Sequence, residues 1–361
     1  MNRLLIISLL VCFMLKTNAQ FARVNIPGSE VRTITSSIVA GQEYELHIML
    51  PGGYTNSTKK YPVVYLMDSQ WDFPLVKSIY GQQYYDGFIP ELIVVGVTWG
   101  GTNPNADSLR VRDYTPTNDG RQKQGGGADQ FLSFMKNELF PFIEANYKAD
   151  GNNRSIMGCS LGGLITLYAL FTHTDMFRGY AAASPAIGWD RELIYQYEKK
   201  FFEGNNTLPV RMYMTIGDVE RSAPGFEKFA KHLESRNYSS LVSKAKLLEN
   251  TGHSGTKSET YSRGLQFIFE RPRLELDAVS LNRFAGMYQT TNGNKLEIKN
   301  EGGRLVLYFS PGNKYMLYAA GETEFYATTE FFNIHFQTQR GAVQGFRLDR
   351  YGSSQFITKT P

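Results

Sequence analysis

Cysteine, histidine and long apolar runs are all scarce in this sequence of 361 residues. Of its two cysteines, Cys12 lies in an apolar stretch at the amino terminus, which leaves Cys159 alone in the rest of the chain and excludes an internal disulfide. The five histidines show no cluster with cysteine or carboxylates at metal-ligand spacing, so we expect no metal and no cofactor. A net charge of only +4, without a basic run interleaved with aromatics, excludes nucleic acid as a partner.

The one marked apolar run predicts a signal peptide over residues 1–19. Leu4–Leu15 is too short to span a bilayer comfortably, and small residues end at Ala19, where cleavage would leave Gln20 as the first mature residue. The alternative is an uncleaved membrane anchor. We expect an exported protein, periplasmic or secreted, with no stable membrane insertion.

Short apolar runs alternate with helical stretches over residues 20–272, which predicts an α/β domain with a mainly parallel sheet covered by helices. The predicted strands include Tyr61–Met67, Leu92–Trp99, Ile156–Cys159, Phe177–Ala183 and Pro209–Ile216, and the predicted helices include Leu161–Phe171 and Phe226–Arg236. After about residue 271 the pattern changes to short alternating runs cut by glycine turns. Residues 277–361 are therefore predicted to form a small antiparallel β-domain, a sandwich or a barrel.

Ser160 is flanked by glycines, with Gly158 before it and Gly162 and Gly163 after it. Gly158-Cys159-Ser160-Leu161-Gly162 follows a β-like run and opens a helix, the pattern of a nucleophile elbow. Side chains at the two glycines would collide with the strand and the helix at such a sharp turn. The alternative, a glycine-rich turn with an uninvolved serine, fits this context less well, and we expect Ser160 to be a nucleophile.

A serine nucleophile needs a base and a carboxylate that orients the base. His253 lies in a turn directly after a β-like run, where a hydrolase of this type carries its base; a solvated loop histidine is the alternative. The turn after Pro209–Ile216 offers two acids, Asp218 and Glu220. We favour Glu220, which has room to curl back under the imidazole, while Asp218 would cap the turn; both stay open.

The remaining site predictions rest on position along the chain. The oxyanion donors are expected to be the backbone N–H of Leu161 and one from the loop after Tyr61–Met67, at Ser69 or Gln70. Three side chains near predicted strand ends are candidates for substrate binding: Trp71, Arg112 and Trp189. Each has an ordinary alternative, since tryptophans pack in cores and arginines pair with nearby carboxylates.

These residues resemble the putative esterase family of α/β-hydrolases, which includes siderophore trilactone esterases and feruloyl esterases. The resemblance is carried by Arg112-Asp113-Tyr114-Thr115-Pro116, the elbow, Ala183-Ser184-Pro185 and Gly252-His253-Ser254. It implies a Ser160 nucleophile, a His253 base and an orienting Glu220 or Asp218. The tail resembles the small lipocalin-like β-domains appended to secreted bacterial hydrolases, which implies an accessory role.

We therefore expect an exported serine hydrolase that cleaves carboxylic esters through an acyl-enzyme. Its partner would be a small-molecule or glycan-linked ester, either a siderophore lactone or an aryl or acyl ester of a carbohydrate. The alternative is a catalytically inactive hydrolase scaffold that binds a glycan or a siderophore. The sequence does not determine the oligomeric state.

Overall fold

The computed structural model describes residues 25–120, 124–310, 312–328, 332–350 and 353–360. The predicted signal peptide over residues 1–19 lies outside these ranges, so it stays a prediction.

An eight-stranded sheet forms the centre of the first part of the chain. In chain order its strands are β1 (Ser29–Thr35), β2 (Glu43–Met49), β3 (Tyr61–Leu66), β4 (Ile93–Trp99), β5 (Ala149–Cys159), β6 (Gly179–Ala183), β7 (Arg211–Gly217) and β8 (Val242–Leu248). Their spatial order is β1-β2-β4-β3-β5-β6-β7-β8. The pairs β1–β2 and β2–β4 are antiparallel, and every other neighbouring pair is parallel. The predicted α/β class with a mainly parallel sheet is confirmed.

Helices cover this sheet on both faces. They are α1 (Ser69–Tyr85), α2 (Ala106–Tyr114), α3 (Ala128–Phe134), α4 (Phe140–Asn146), α5 (Leu161–Thr172), α6 (Ile194–Gly204), α7 (Ala223–Ser235) and α8 (Thr256–Ile268), with a π-helical turn, Met135–Leu139, joining α3 to α4 and a 3-10 turn at Tyr54–Asn56. Every residue of β4 is buried, and so is nearly all of α5. Strands buried on both faces need apolar residues at every position, which explains their unbroken apolar runs.

A closed antiparallel barrel of eight strands ends the described chain. After the short helix α9 (Ala278–Asn282) come β9 (Gly286–Gln289), β10 (Lys295–Glu301), β11 (Arg304–Ser310), β12 (Asn313–Ala319), β13 (Glu324–Ala327), β14 (Phe332–Gln339), β15 (Ala342–Arg350) and β16 (Ser353–Lys359). Side chains fill the interior, where the rings of Phe284 and Phe336 stack at 4.1 Å between centroids. This fits an eight-stranded barrel, whose interior is about wide enough for side chains. The predicted small all-β unit is thus a barrel and not a sandwich.

A short linker holds the barrel against the sheet domain. Arg271 donates to the Gly87 carbonyl at 3.0 Å and to the Asn333 side chain, and its guanidinium lies 4.3 Å from the centroid of the Tyr326 ring. The Tyr326 hydroxyl donates to the Pro272 carbonyl at 3.2 Å. Residues of the α/β domain, of the linker and of the barrel are therefore joined by direct contacts. No helix in the described ranges is both long enough and apolar enough to cross a membrane.

Candidate active site

Ser160 lies at the turn between β5 and α5, with φ 60° and ψ −115°. Such angles are strained for a residue with a side chain and typical of a nucleophile elbow. The flanking glycines leave the space that this turn requires. A Cβ at Gly158 would lie 2.6 Å from the Gly162 carbonyl carbon, and a Cβ at Gly163 would lie 2.9 Å from the Pro185 Cα. Larger residues would push the helix away from the strand, which explains why so little side chain surrounds this serine.

His253 and Glu220 are in direct contact. His253 Nδ1 lies 2.6 Å from Glu220 Oε2, and because a carboxylate only accepts, the ring donates its Nδ1–H. This tautomer leaves Nε2 unprotonated and able to accept a proton. The imidazole is half exposed, whereas the carboxylate is 8% exposed. In the described residues the Ser160 hydroxyl makes no hydrogen bond to His253. Catalytic hydrogen bonds are often long without substrate and shorten when it binds.

Hydrogen bonds fix the Glu220 carboxylate in this position. Its Oε1 accepts from the Ser184 hydroxyl at 2.6 Å and from the Gly217 N–H at 3.0 Å. Burial opposes ionisation, but the hydrogen bonds from Ser184, His253 and Gly217 outweigh it and lower the pKa of Glu220. The carboxylate therefore stays charged at neutral pH and can orient and stabilise an imidazolium.

Ser184 lies just past the end of β6, between the ends of β5 and β7 that carry the other site residues. It follows β6, between the elbow after β5 and Glu220 after β7, and its hydroxyl also lies 2.9 Å from that of Thr256. Thr256 in turn donates to the His253 carbonyl at 2.8 Å. Sequence reasoning did not single out Ser184, although it lies in the Ala183-Ser184-Pro185 segment that carries the family resemblance.

Asp218 is placed differently from Glu220. It is exposed, and its Oδ1 accepts from the Thr251 N–H at 3.3 Å. This contact ties the turn after β7 to the loop that carries His253, without touching the ring. The geometry therefore separates the two candidate acids: Glu220 faces the imidazole and Asp218 caps the turn.

The predicted oxyanion donors begin two helices. Leu161 is the first residue of α5, and Ser69 and Gln70 are the first residues of α1, where N–H groups have no partner inside the helix. The two helix starts are neighbours, because a Cβ at Gly162 would lie 3.1 Å from an oxygen of Asp68, the residue before α1. Both side-chain amide atoms of Gln70 are buried and have no hydrogen-bond partner among the described residues.

A second serine, histidine and carboxylate anchor the start of α1. The Ser69 hydroxyl lies 2.8 Å from His47 Nδ1, and His47 Nε2 lies 2.9 Å from Glu45 Oε1. Ser69 lies directly over Gly96, where a Cβ would overlap its hydroxyl. Nothing in the local sequence around His47, which lies on β2, indicates that it contacts a residue 22 positions away.

Two ion pairs with buried carboxylates connect the elements around the candidate site. Arg110 binds both oxygens of Asp68, at 3.0 and 2.8 Å, under the elbow. Asp72 of α1 accepts from Lys257 Nζ at 2.7 Å and from the Tyr261 hydroxyl at 2.6 Å, both on α8. α8 begins three residues after His253, so the second pair connects α1, which carries the predicted oxyanion donors, to the helix that follows the histidine.

The three predicted substrate-binding side chains have different surroundings. Trp71 is 50% exposed at the first turn of α1, and the Arg110 guanidinium lies 5.6 Å from its ring centroid. Trp189 is partly buried, with its Nε1 3.3 Å from the Thr117 carbonyl. Arg112 donates to both oxygens of buried Asp113, at 2.7 and 3.0 Å. Trp71 is thus the candidate that offers an open ring to a ligand, and Arg112 is already engaged by a carboxylate.

No group of three or more metal-ligating side chains occurs within the described ranges. Cys159 lies beside the nucleophile but is buried, and burial raises the pKa of its thiol to about 12. It is therefore a protonated, packed side chain and not a competing nucleophile.

A serine at a strained strand-to-helix turn, followed in chain order by a carboxylate and a histidine that contact each other, defines the α/β-hydrolase class. The comparisons with known proteins narrow this class. The Putative esterase family model matches residues 36–256, and the chain belongs to that family.

Similar proteins include esterases of siderophores. The ferri-bacillibactin esterase BesA of Bacillus subtilis (strain 168) is 32% identical over 211 residues, which cover 54% of this chain and 72% of that protein. The crystal structure of BES protein from Bacillus cereus covers 70% of this chain and 98% of its own, at 26% identity and a TM-score of 0.63. An IroE-like serine hydrolase from Shewanella oneidensis covers 67% of this chain and 80% of its own, at 26% identity and a TM-score of 0.59. The predicted family resemblance is confirmed.

Proposed function

We propose that this protein is an exported serine hydrolase that cleaves carboxylic esters through a covalent acyl-enzyme. The observation that carries the proposal is the 2.6 Å contact between Glu220 and His253, formed beside a serine held at a nucleophile elbow. A charged carboxylate in that contact keeps the imidazole in the tautomer whose Nε2 can take a proton from Ser160.

The reaction has two halves. Ser160 Oγ attacks the ester carbonyl carbon while His253 takes its proton; the bond to the leaving alcohol then breaks as the imidazolium returns that proton to the alcohol oxygen. Water repeats the sequence on the acyl-enzyme, with His253 again as base, and releases the carboxylic acid and the free serine. Each half passes through a tetrahedral oxyanion.

We place this oxyanion between the N–H of Leu161 and that of Ser69 or Gln70. Donors at two helix starts add the positive ends of two helix dipoles. The anchoring of Ser69 by His47 supports this assignment, since donors held before the reaction need no reorganisation as charge develops.

We infer that the substrate is a siderophore lactone or another ester with an aryl group. The similarity to a ferri-bacillibactin esterase supports the first class. The exposed ring of Trp71 offers a face on which an aryl group could stack. Aryl or acyl esters of carbohydrates belong to the same reaction class. Export is proposed from the apolar leader over residues 1–19.

The test is hydrolysis by the purified chain starting at Gln20 and by its Ser160→Ala variant. The esters would be p-nitrophenyl acetate, butyrate and octanoate, methyl ferulate and a tris-catecholate trilactone. The proposal expects turnover by the wild type, a loss of several orders of magnitude in the variant, and the highest kcat/KM for an aryl or lactone ester. No turnover of any ester by a folded wild type would instead favour the inactive binding scaffold.

A further inference from the structure

A cavity of about 350 Å³ lies between the α/β domain and the barrel, away from Ser160. Its wall on the α/β side comes from β7, β8 and α8, and its wall on the other side comes from the linker and from Tyr326 of the barrel. None of its lining residues belongs to the elbow or to the loops that carry Glu220 and His253. The cavity is therefore a separate feature that the proposed esterase mechanism does not use.

Cationic side chains line this cavity, among them Lys244, Lys246, Arg263 and Arg273. Lys244 and Lys246 are two residues apart on β8 and so share a face of the sheet, the face on which Lys246 reaches Glu259 of α8 at 2.9 Å. On α8, Arg263 and Phe267 are four residues apart and share a helix face. Arg273 of the linker completes the set.

The carboxylates in and beside the cavity are already engaged. Glu270, which lines it, forms an ion pair with Arg211, and Glu259 pairs with Lys246. Among the described residues, no carboxylate lies within ion-pair distance of Lys244, Arg263 or Arg273. Arg263 instead donates to the Gln266 amide oxygen at 2.8 Å, and Arg273 lies over the Tyr318 ring at 4.4 Å.

We propose that this cavity is a binding site for a tetrahedral oxyanion, a phosphate or a sulfate group. Three cations line one cavity with no carboxylate of the described residues within ion-pair distance, and Arg263 shares the field of Glu259 with Lys246. The excess positive charge would be neutralised by a compact anion of charge near −2, and both lysine and arginine donate readily to such oxygens. The group is either a free ion or an ester carried on a sugar. In the second case the rings of Phe267 and Tyr326, which line the same cavity, would contact the sugar.

Calorimetric titration of the full chain at low ionic strength tests the site. The probes are inorganic phosphate, inorganic sulfate, glucose 6-phosphate and glucose 6-sulfate. The variants are Lys244→Ala and Arg263→Ala. The matched control is Lys199→Ala, which removes the same charge from α6, where Lys199 pairs with Glu203 and does not line the cavity.

The proposal expects saturable binding with a Kd of about 1 mM or below, weakened by about tenfold in each cavity variant and unchanged in Lys199→Ala. Tighter binding of the sugar esters than of the free ions would identify a carried group, and equal binding would identify the ion itself. The site would be refuted by no saturable heat for any probe, or by equal affinities in Lys244→Ala, Arg263→Ala and the wild type. Ester hydrolysis should be unchanged in both variants, so this result is independent of the proposed function.

Discussion

Two single substitutions, Glu220→Gln and Asp218→Asn, test which carboxylate orients His253 in the candidate triad. Glu220 and Asp218 both follow β7, but only Glu220 contacts the His253 ring, at 2.6 Å. Glu220→Gln is nearly isosteric and replaces an acceptor with a group that can also donate. An amide N–H facing Nδ1 would favour the tautomer with the proton on Nε2, which cannot accept the serine proton.

The size of the effect follows from what the carboxylate does. In Ser-His-Asp hydrolases, loss of the orienting charge with geometry kept costs about 10⁴ in kcat. Here the imidazole is half exposed, so water can solvate part of the imidazolium charge. We therefore expect a loss of about 10³ in kcat, which corresponds to about 4 kcal/mol of transition-state stabilisation. KM should change little, because the carboxylate does not touch the substrate.

Asp218→Asn is the matched control. It removes the same charge two residues away, and its amide oxygen can still accept from the Thr251 N–H. We expect kcat within about twofold of the wild type. The assay is steady-state hydrolysis of p-nitrophenyl butyrate, with circular dichroism to show that both variants fold. Glu220 is not the orienting acid if Glu220→Gln keeps more than about a tenth of the wild-type kcat, or if Asp218→Asn loses more activity than Glu220→Gln does.

Three further predictions concern the supports of the site and the fold. Ser69→Ala removes the hydroxyl that lies 2.8 Å from His47 Nδ1, and we expect kcat to fall by about tenfold with KM nearly unchanged, as measured on the same ester; a change in KM alone would contradict a role in holding the oxyanion donors. Because the pKa of Glu220 is lower in the folded chain than in the unfolded one, its contribution to stability is complete above about pH 5 and is lost as the pH falls through the folded pKa. Urea unfolding should therefore show a steeper loss of stability between about pH 5 and about pH 3 for the wild type than for Glu220→Gln, and parallel curves would refute the assignment. Glu198 is fully buried and accepts hydrogen bonds from Arg236, His232 and Tyr238, so Glu198→Ala should destabilise the chain by about 3 kcal/mol in urea unfolding. The exposed Glu203, changed in the same way, should cost less than about 0.5 kcal/mol, and similar losses for the two variants would be the contrary result.

Much of the sheet could be predicted because burial on both faces leaves a direct trace in the sequence. β4 and β5 appear as apolar runs, and the elbow appears as glycines placed where backbones nearly touch. The predicted strand Ile156–Cys159 is only the buried end of β5, which begins at Ala149. Its first half is polar and less buried, so the apolar pattern does not mark it.

The helix α1 was not predicted from the sequence pattern. It contains Pro74, and its buried face mixes the apolar Phe73, Val76 and Tyr80 with the polar Ser69 and Asp72. Ser69 and Asp72 make polar contacts with residues on β2 and α8. These partners are distant along the chain, so no local window joins them. α2 is similar: its buried residues are Asp113 and Tyr114 at its end, and Asp113 is paired with Arg112.

The choice between Glu220 and Asp218 depends on a third strand. Both acids are compatible with the spacing after β7. The Ser184 hydroxyl after β6 and the Gly217 N–H hold the Glu220 carboxylate toward the histidine, and these contacts are not visible in the local sequence. Likewise, Trp71 and Trp189 were both predicted near the site from strand-end positions, but Trp71 is exposed and Trp189 is partly buried. Position along a strand places a residue near the site but does not say to which side its ring turns.

The central claim is that Ser160 is the nucleophile of an acyl-transfer reaction, and covalent trapping tests it directly. The chain would be treated with diisopropyl fluorophosphate, its intact mass measured, and the labelled peptide identified by proteolysis and tandem mass spectrometry. We predict one added diisopropylphosphoryl group, located on Ser160, with ester hydrolysis lost in proportion to labelling. Labelling at another residue, or full hydrolysis by a chain that carries the group on Ser160, would contradict it.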